Sequence, residues 1–324
     1  MRGKLWLAAL MALCCGRGAV AQEFPTRTVT MIVPSAPGGT LDALGRLMAQ
    51  GMAEDLGHNV VVENVSGAGS IVGMQRLVRS APDGYVIGFG NLGSLAANVA
   101  VTRELGFDPR QDLTPIGIVA NVPMVIAASK QSGVRDLGTL LSRIRERGDG
   151  VNVGTPGTGT TGHLAPAYLL SLTKLHATLV PYRGAGPAMS DLAAGTVDAV
   201  IDQTVTMIPA HRGGTAVALA VTGPQRIPQL PDVPTFAEAG VPGFDMVIWN
   251  AIAGPKGIPE PVVQRLVRSV EAALASPAVI SRFAELATTA PAPEERGPEA
   301  LRQRIAADVD RWVRVVRDAG ITPQ

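Results

Sequence analysis

The sequence predicts an α/β protein of two lobes with a cleft between them. Short apolar runs alternate with stretches of helical period, and they do so in two successive sets separated by a less regular passage. Glycine-rich segments recur where strands hand over to helices, the place where open α/β sheets hold ligands. Of 324 residues, 46% are apolar and 17% charged, which fills a sizeable core and excludes a largely disordered chain.

Residues 1–21 read as an export signal. Arg2 and Lys4 precede a short apolar run over 5–15, and Ala19-Val20-Ala21 places small residues before an expected cut ahead of Gln22. The run is too short to span a membrane. Cys14 and Cys15 lack the small preceding residue of a lipid-anchored cysteine, so a soluble product is expected. Both cysteines leave with the signal, which removes disulfides, thiolate chemistry and cysteine metal sites together. The remainder holds 25 basic and 27 acidic residues, no footprint for nucleic acid.

After the signal, Val29-Thr30-Met31-Ile32-Val33 reads as a strand. Leu41, Leu44, Met48, Met52 and Leu56 then mark one face of a helix. Val60-Val61-Val62 is a strand, 71–78 a helix, and Pro82-Asp83-Gly84 turns into the strand Tyr85-Val86-Ile87, the order of a parallel α/β sheet. Residues 116–119 and 125–128 are separate β-type runs. Residues 137–144, 164–172 and 189–192 read as helices, and 151–153, 179–180, 197–201 and 217–221 as strands. The rest reads as mostly helical, with apolar stripes through Val263, Leu266, Val270 and Leu274 and through Leu301, Ile305, Val309, Trp312 and Val316.

Four loops at strand ends are candidates for function. Ser35, Ala36, Pro37, Gly38, Gly39 and Thr40, with Asp42, lead into the first helix, whose free N–H groups suit a carboxylate; the alternative is a plain turn capped by Thr40 or Asp42. Ala68, Gly69 and Ser70 offer N–H groups and a hydroxyl, or simply start a helix. Thr155, Thr158, Gly159, Thr160, Thr161 and His163 lie in or beside a segment matching G-x-G-x-x-G at Gly157, Gly159 and Gly162. Here a hydroxyl-rich cradle for an anion competes with a Gly/Thr turn and with an NADP site using Arg183, although Val180-Pro181-Tyr182 stands where an acidic ribose partner belongs. Tyr182, Arg183 and Gly184 close the fourth loop, where Arg183 either meets a carboxylate or lies on the surface. Asp202, at another strand end, completes the candidate ligand-binding set. No nucleophile elbow, paired acid/base or metal-ligand spacing is visible, so no enzyme, cofactor or metal is expected.

Together these pieces resemble the Bug-type substrate-binding proteins of tripartite tricarboxylate transporters. The matching segments are Phe24-Pro25, Val33-Pro34 with Gly38-Gly39 and Asp42, and Val62-Glu63-Asn64 with Gly67-Ala68-Gly69. Pro82-Asp83-Gly84-Tyr85, Gly154-Thr155-Pro156-Gly157-Thr158-Gly159 with His163, Pro181-Tyr182-Arg183-Gly184, and Leu230-Pro231-Asp232-Val233-Pro234-Thr235 follow in family order. The resemblance implies a periplasmic-binding-protein-like (type II) fold, with lobe 1 formed by 22–123 and 247–324 and lobe 2 by 124–246. It also implies a monomeric receptor that captures a small organic acid, largely through backbone N–H groups and waters, and delivers it to membrane permease subunits or presents it to a sensor domain. Arg183 stands where the family often has Lys, and Ser35 where it often has an aromatic residue.

Overall fold

The computed structural model describes residues 24–244, 246–318 and 323; the expected signal and its cleavage point lie outside them. The chain opens with β1 (Val29–Val33), α1 (Thr40–Leu56), β2 (Val60–Asn64), α2 (Ile71–Val78) and β3 (Val86–Asn91). A wide helical turn over Gly93–Ala97 leads into the short α3 (Asn98–Val101) and the long β4 (Leu113–Ser129). The middle holds α4 (Leu137–Arg147), β5 (Asn152–Thr155), α5 (Thr161–Thr173), β6 (Thr178–Pro181), α6 (Ala185–Ala194), β7 (Ala199–Gln203), α7 (Thr204–Arg212) and β8 (Ala216–Val221). The last part is β9 (Val247–Pro255), α8 (Glu260–Ala275), α9 (Pro277–Glu285) and α10 (Pro298–Asp318).

The strands join in the order β2-β1-β3-β9-β4-β7-β5-β6, with β8 also paired to β4. The two flanks are parallel, β1 with β2 and β3, and β5 with β6 and β7. The centre is antiparallel, so the sheet is mixed where the sequence pattern predicts a parallel one. From Leu113 to Pro123, β4 pairs with β9; from Met124 onward its partners are β7 and β8. One strand therefore runs through both halves of the molecule. The sequence divides it into two runs because Asn121 and Pro123 interrupt the apolar pattern. Asn121 nonetheless stays in the ladder opposite Trp249, and its N–H and carbonyl also bond Thr289. Register shifts between Pro115 and Gly117 and between Ile118 and Ala120 bend the strand.

The strand β9 is missing from the sequence reading, which takes this region as helical. It is buried on both faces, so it lacks the alternation that marks a half-buried strand. Trp249 at its centre is fully buried, and its Nε1 donates to Asp308 Oδ2 at 2.6 Å. Arg304 Nε donates to the same oxygen at 2.6 Å, so α10 is tied across the central strand pair. At the flank, Leu44, Met48 and Met52 of α1 meet Leu266 and Val270 of α8 in one apolar cluster, as their three- and four-residue spacing requires.

Candidate functional site

Where β1, β2, β3, β5, β6 and β7 end, their loops surround a cavity of about 70 Å³. Pro34, Ser35, Thr40 and Leu41 come from the loop after β1 and the start of α1, and Asn91 from the end of β3. Gly67, Ala68, Gly69 and Ser70 line it ahead of α2. The middle of the chain adds Pro156, Thr160, Thr161, Tyr182, Arg183, Ala185, Asp202 and Gln203.

Among the described residues five helices begin on this wall, and none has a side-chain cap. The N-cap positions are Gly39 for α1, Ser70 for α2, Thr160 for α5, Gly184 for α6 and Gln203 for α7. Away from the cavity, Asp136 caps α4 and Ser276 caps α9 with hydrogen bonds to backbone N–H groups. An uncapped helix start leaves N–H donors and the positive end of the helix dipole free for an anion. Convergence of five such starts on one cavity makes an environment in which a carboxylate is stabilised without a paired cation.

Among the described residues Arg183 is the one cationic side chain in the lining, and it is exposed at the mouth. Asp202, by contrast, is 3% exposed. Thr40 Oγ1 donates to its Oδ2 at 3.4 Å and Thr206 Oγ1 at 2.7 Å. Burial pushes Asp202 up to about 6 against those hydrogen bonds and one from the Gln203 N–H. The Tyr182 hydroxyl donates to Asp191 Oδ2 at 2.6 Å; burial first, then this neighbouring carboxylate, pushes it up to about 12. Burial lowers His163, whose Nδ1 accepts from the Gly159 N–H at 3.4 Å and so steadies the loop.

Two lips border the cavity. In one, the Ala36 N–H donates to the Arg183 carbonyl at 3.2 Å, and Pro37 lies so near Gly186 that a Cβ there would sit 2.3 Å from the Pro37 carbonyl oxygen. In the other, a Cβ on Gly69 would sit 1.7 Å from the Thr158 carbonyl oxygen. Thr40 with Asp202, Asn91 with Thr161 (3.4 Å) and Asn250 with Gln203 (2.9 Å) add side-chain hydrogen bonds between the early or late parts of the chain and its middle.

Of the residues expected from sequence, Ser35, Thr40, Ala68, Gly69, Ser70, Thr160, Thr161, Tyr182, Arg183 and Asp202 line the cavity. Ala36, Pro37, Gly38, Gly39 and Gly184 build the first lip, and Thr158 and Gly159 the second. Three expected residues support the loops from behind. Asp42 accepts from Arg46, Asn64 and the Gly38 N–H; these hold its carboxyl below the usual range although burial, the largest influence, acts the other way. Thr155 is fully buried and donates to the Val180 carbonyl at 3.4 Å, and His163 lies beside the loop it steadies. Sequence reasoning missed Asn91 and Gln203. Both stand at strand ends, and that position is the signal that finds them.

The G-x-G-x-x-G segment serves the lips. A Cβ on Gly157 would lie 3.5 Å from Gly69 Cα, and one on Gly159 would lie 2.4 Å from Asn98 Oδ1. These glycines admit the facing loop at Gly69 and helix α3 at Asn98, so the pattern has a structural role that needs no dinucleotide.

Residues 44–321 match the family model described as the tripartite tricarboxylate transporter family receptor. The chain is 35% identical to a solved structure described as periplasmic binding protein BugD, with a TM-score of 0.89 over 93% of this chain and 100% of that one. It is 38% identical to MatC from Rhodopseudomonas palustris with bound malate, with a TM-score of 0.87 over 90% and 100%. An R. palustris protein with adipate is 34% identical, with a TM-score of 0.88 over 93% and 100%.

Proposed function

Because the chain belongs to the tripartite tricarboxylate transporter receptor family, whose members are solute receptors and not enzymes, we propose that it captures a small organic carboxylate in the periplasm and delivers it to a membrane permease. The observation that carries this reading is the set of five uncapped helix starts on one cavity. The related structures with malate and with adipate both hold dicarboxylates, which supports the same ligand class here. The export signal over 1–21 supports the location.

Capture follows from the lips. The cavity, about 70 Å³, is smaller than the ~150 Å³ that holds a benzene ring, so entry requires them to part. The described residues up to 123, with those from 247 on, form one lobe, and those within 124–246 the other. The change of β4 partners between Pro123 and Met124 supports that division. Each lobe brings helix starts to the ligand, and closure gains both sets of contacts.

A thermal-shift panel of malate, succinate, citrate, adipate, glutamate and benzoate tests the reading. At one hundred times its Kd, a true ligand adds about 2.7 kcal/mol. At about 2 °C per kcal/mol, this raises the melting temperature by about 5 °C. A panel in which no acid shifts the melting temperature while NADP⁺ or a neutral sugar does defeats it.

A further inference from the structure

Asp202 is a buried carboxylate in the wall of a cavity whose helix starts favour anions. It ends β7, lies opposite Val125 of β4, and takes the Thr40 and Thr206 hydroxyls on the same oxygen, Oδ2. Among the described residues no cation pairs with it. Of the charged and titratable groups on the elements packed around it, Asp42 and Arg46 of α1 pair with each other at 2.9 Å. On α5, His163 is engaged with the Gly159 N–H, while Tyr182 bonds Asp191 of α6 and Arg183 is exposed at the mouth. Helix α7 carries no titratable group before His211, two turns further on. The influences on Asp202 are burial and hydrogen bonds from Thr206, Gln203 and Thr40, with none from a charged neighbour.

A carboxylate entering this cavity is a second anion beside the first. Two like charges in a shared low-dielectric site do not both stay ionised; the pair holds a proton. Resting on the receptor reading above, we propose that Asp202 takes a proton from solvent as the ligand binds and donates its O–H to a ligand oxygen, so that each carboxylate captured is accompanied by one proton. Burial has already raised the free group to about 6, which eases this uptake near neutral pH. The arrangement makes Asp202 a specificity residue: protonated, it admits a carboxylate, whereas ionised, it rejects one and accepts an ammonium group.

The test is calorimetry of the signal-free protein with malate, succinate, adipate and L-aspartate between about pH 7 and 8.5, where the carboxyl groups of these acids are almost wholly ionised. Titrations in buffers of different ionisation enthalpy count the protons. The expected result is uptake approaching one proton at pH 7.5, with affinity falling about tenfold per pH unit above the free pKa. Asp202→Asn, neutral at every pH, should bind without that slope and at least tenfold more tightly than the native protein at about pH 8.5. His163→Gln should keep the slope. Diacid binding with no proton uptake overturns the proposal and leaves the receptor reading intact. The same holds if L-aspartate binds without uptake while the diacids fail, since Asp202 then holds an ammonium group. Where another acid of the thermal panel binds instead, the same proton count is made with it, and failure of every acid to bind overturns both. Proton counting on the native protein decides the matter even if Asp202→Asn does not fold.

Discussion

Gly69→Ala isolates closure of the cleft from the chemistry of the ligand. The added Cβ would stand 1.7 Å from the Thr158 carbonyl oxygen, and to reach even 3.0 Å the lip must open by more than an ångström. That gap separates the helix starts on the two sides, so an acid held between them loses one or two hydrogen bonds of its charged group, each contributing about 1.5–3 kcal/mol. The expected loss is about 2–4 kcal/mol, or roughly 30- to 1,000-fold in Kd. Alanine at φ 60° also costs roughly 1–2 kcal/mol in stability. Gly57→Ala is the control, because its φ of 68° carries the same strain while its Cβ meets nothing within 4 Å. Calorimetry on the best acid of the thermal panel, with small-angle scattering for compactness, reads both effects. Near-native affinity and full compaction of Gly69→Ala with ligand would show that binding does not depend on closure at this contact, as would an equal loss of affinity in Gly57→Ala.

Arg183→Ala should weaken binding by only about 1 kcal/mol in calorimetry, because this cation is exposed at the mouth while backbone N–H groups line the interior. Asp202→Asn should show a pH-dependent gain in stability. With its pKa raised from 3.8 to about 6 on folding, Asp202 contributes stability fully below the unfolded value and loses it as pH rises through the folded one. Urea unfolding should therefore find the variant ahead of the native protein by about 2–3 kcal/mol at pH 7.5, with most of that lead gone at pH 4. Asp308→Ala leaves the buried Trp249 Nε1 without its acceptor and should cost about 1–3 kcal/mol, seen as a lower melting temperature. Intact mass of exported protein should place Gln22 at the N-terminus, and a diacylated Cys15 there would contradict the soluble reading.

Both flanks of the sheet are legible in the sequence because their strands and helices alternate with clear periods, as in β1, α1 and β2. The centre is not. In β4 the run breaks at Asn121 and Pro123 although the ladder continues, and β9 is buried on both faces and so carries no alternation. The candidate site is legible where glycine marks a strand end, as at Gly69 and Gly159. Asn91 and Gln203 follow ordinary apolar strands and stand out only once the strand ends are known to converge. Whether a glycine serves a ligand or a facing loop is also invisible in one dimension, because Thr158 meets Gly69 across 89 positions of chain.

The most direct test of carboxylate capture by helix starts is a crystal structure of the signal-free protein grown with the acid that stabilises it most. Carboxylate oxygens should lie about 3 Å from the N–H groups that open α1, α2, α5, α6 or α7, with Asp202 beside them. An acid held by the Arg183 side chain alone, or bound outside this cavity, would contradict it.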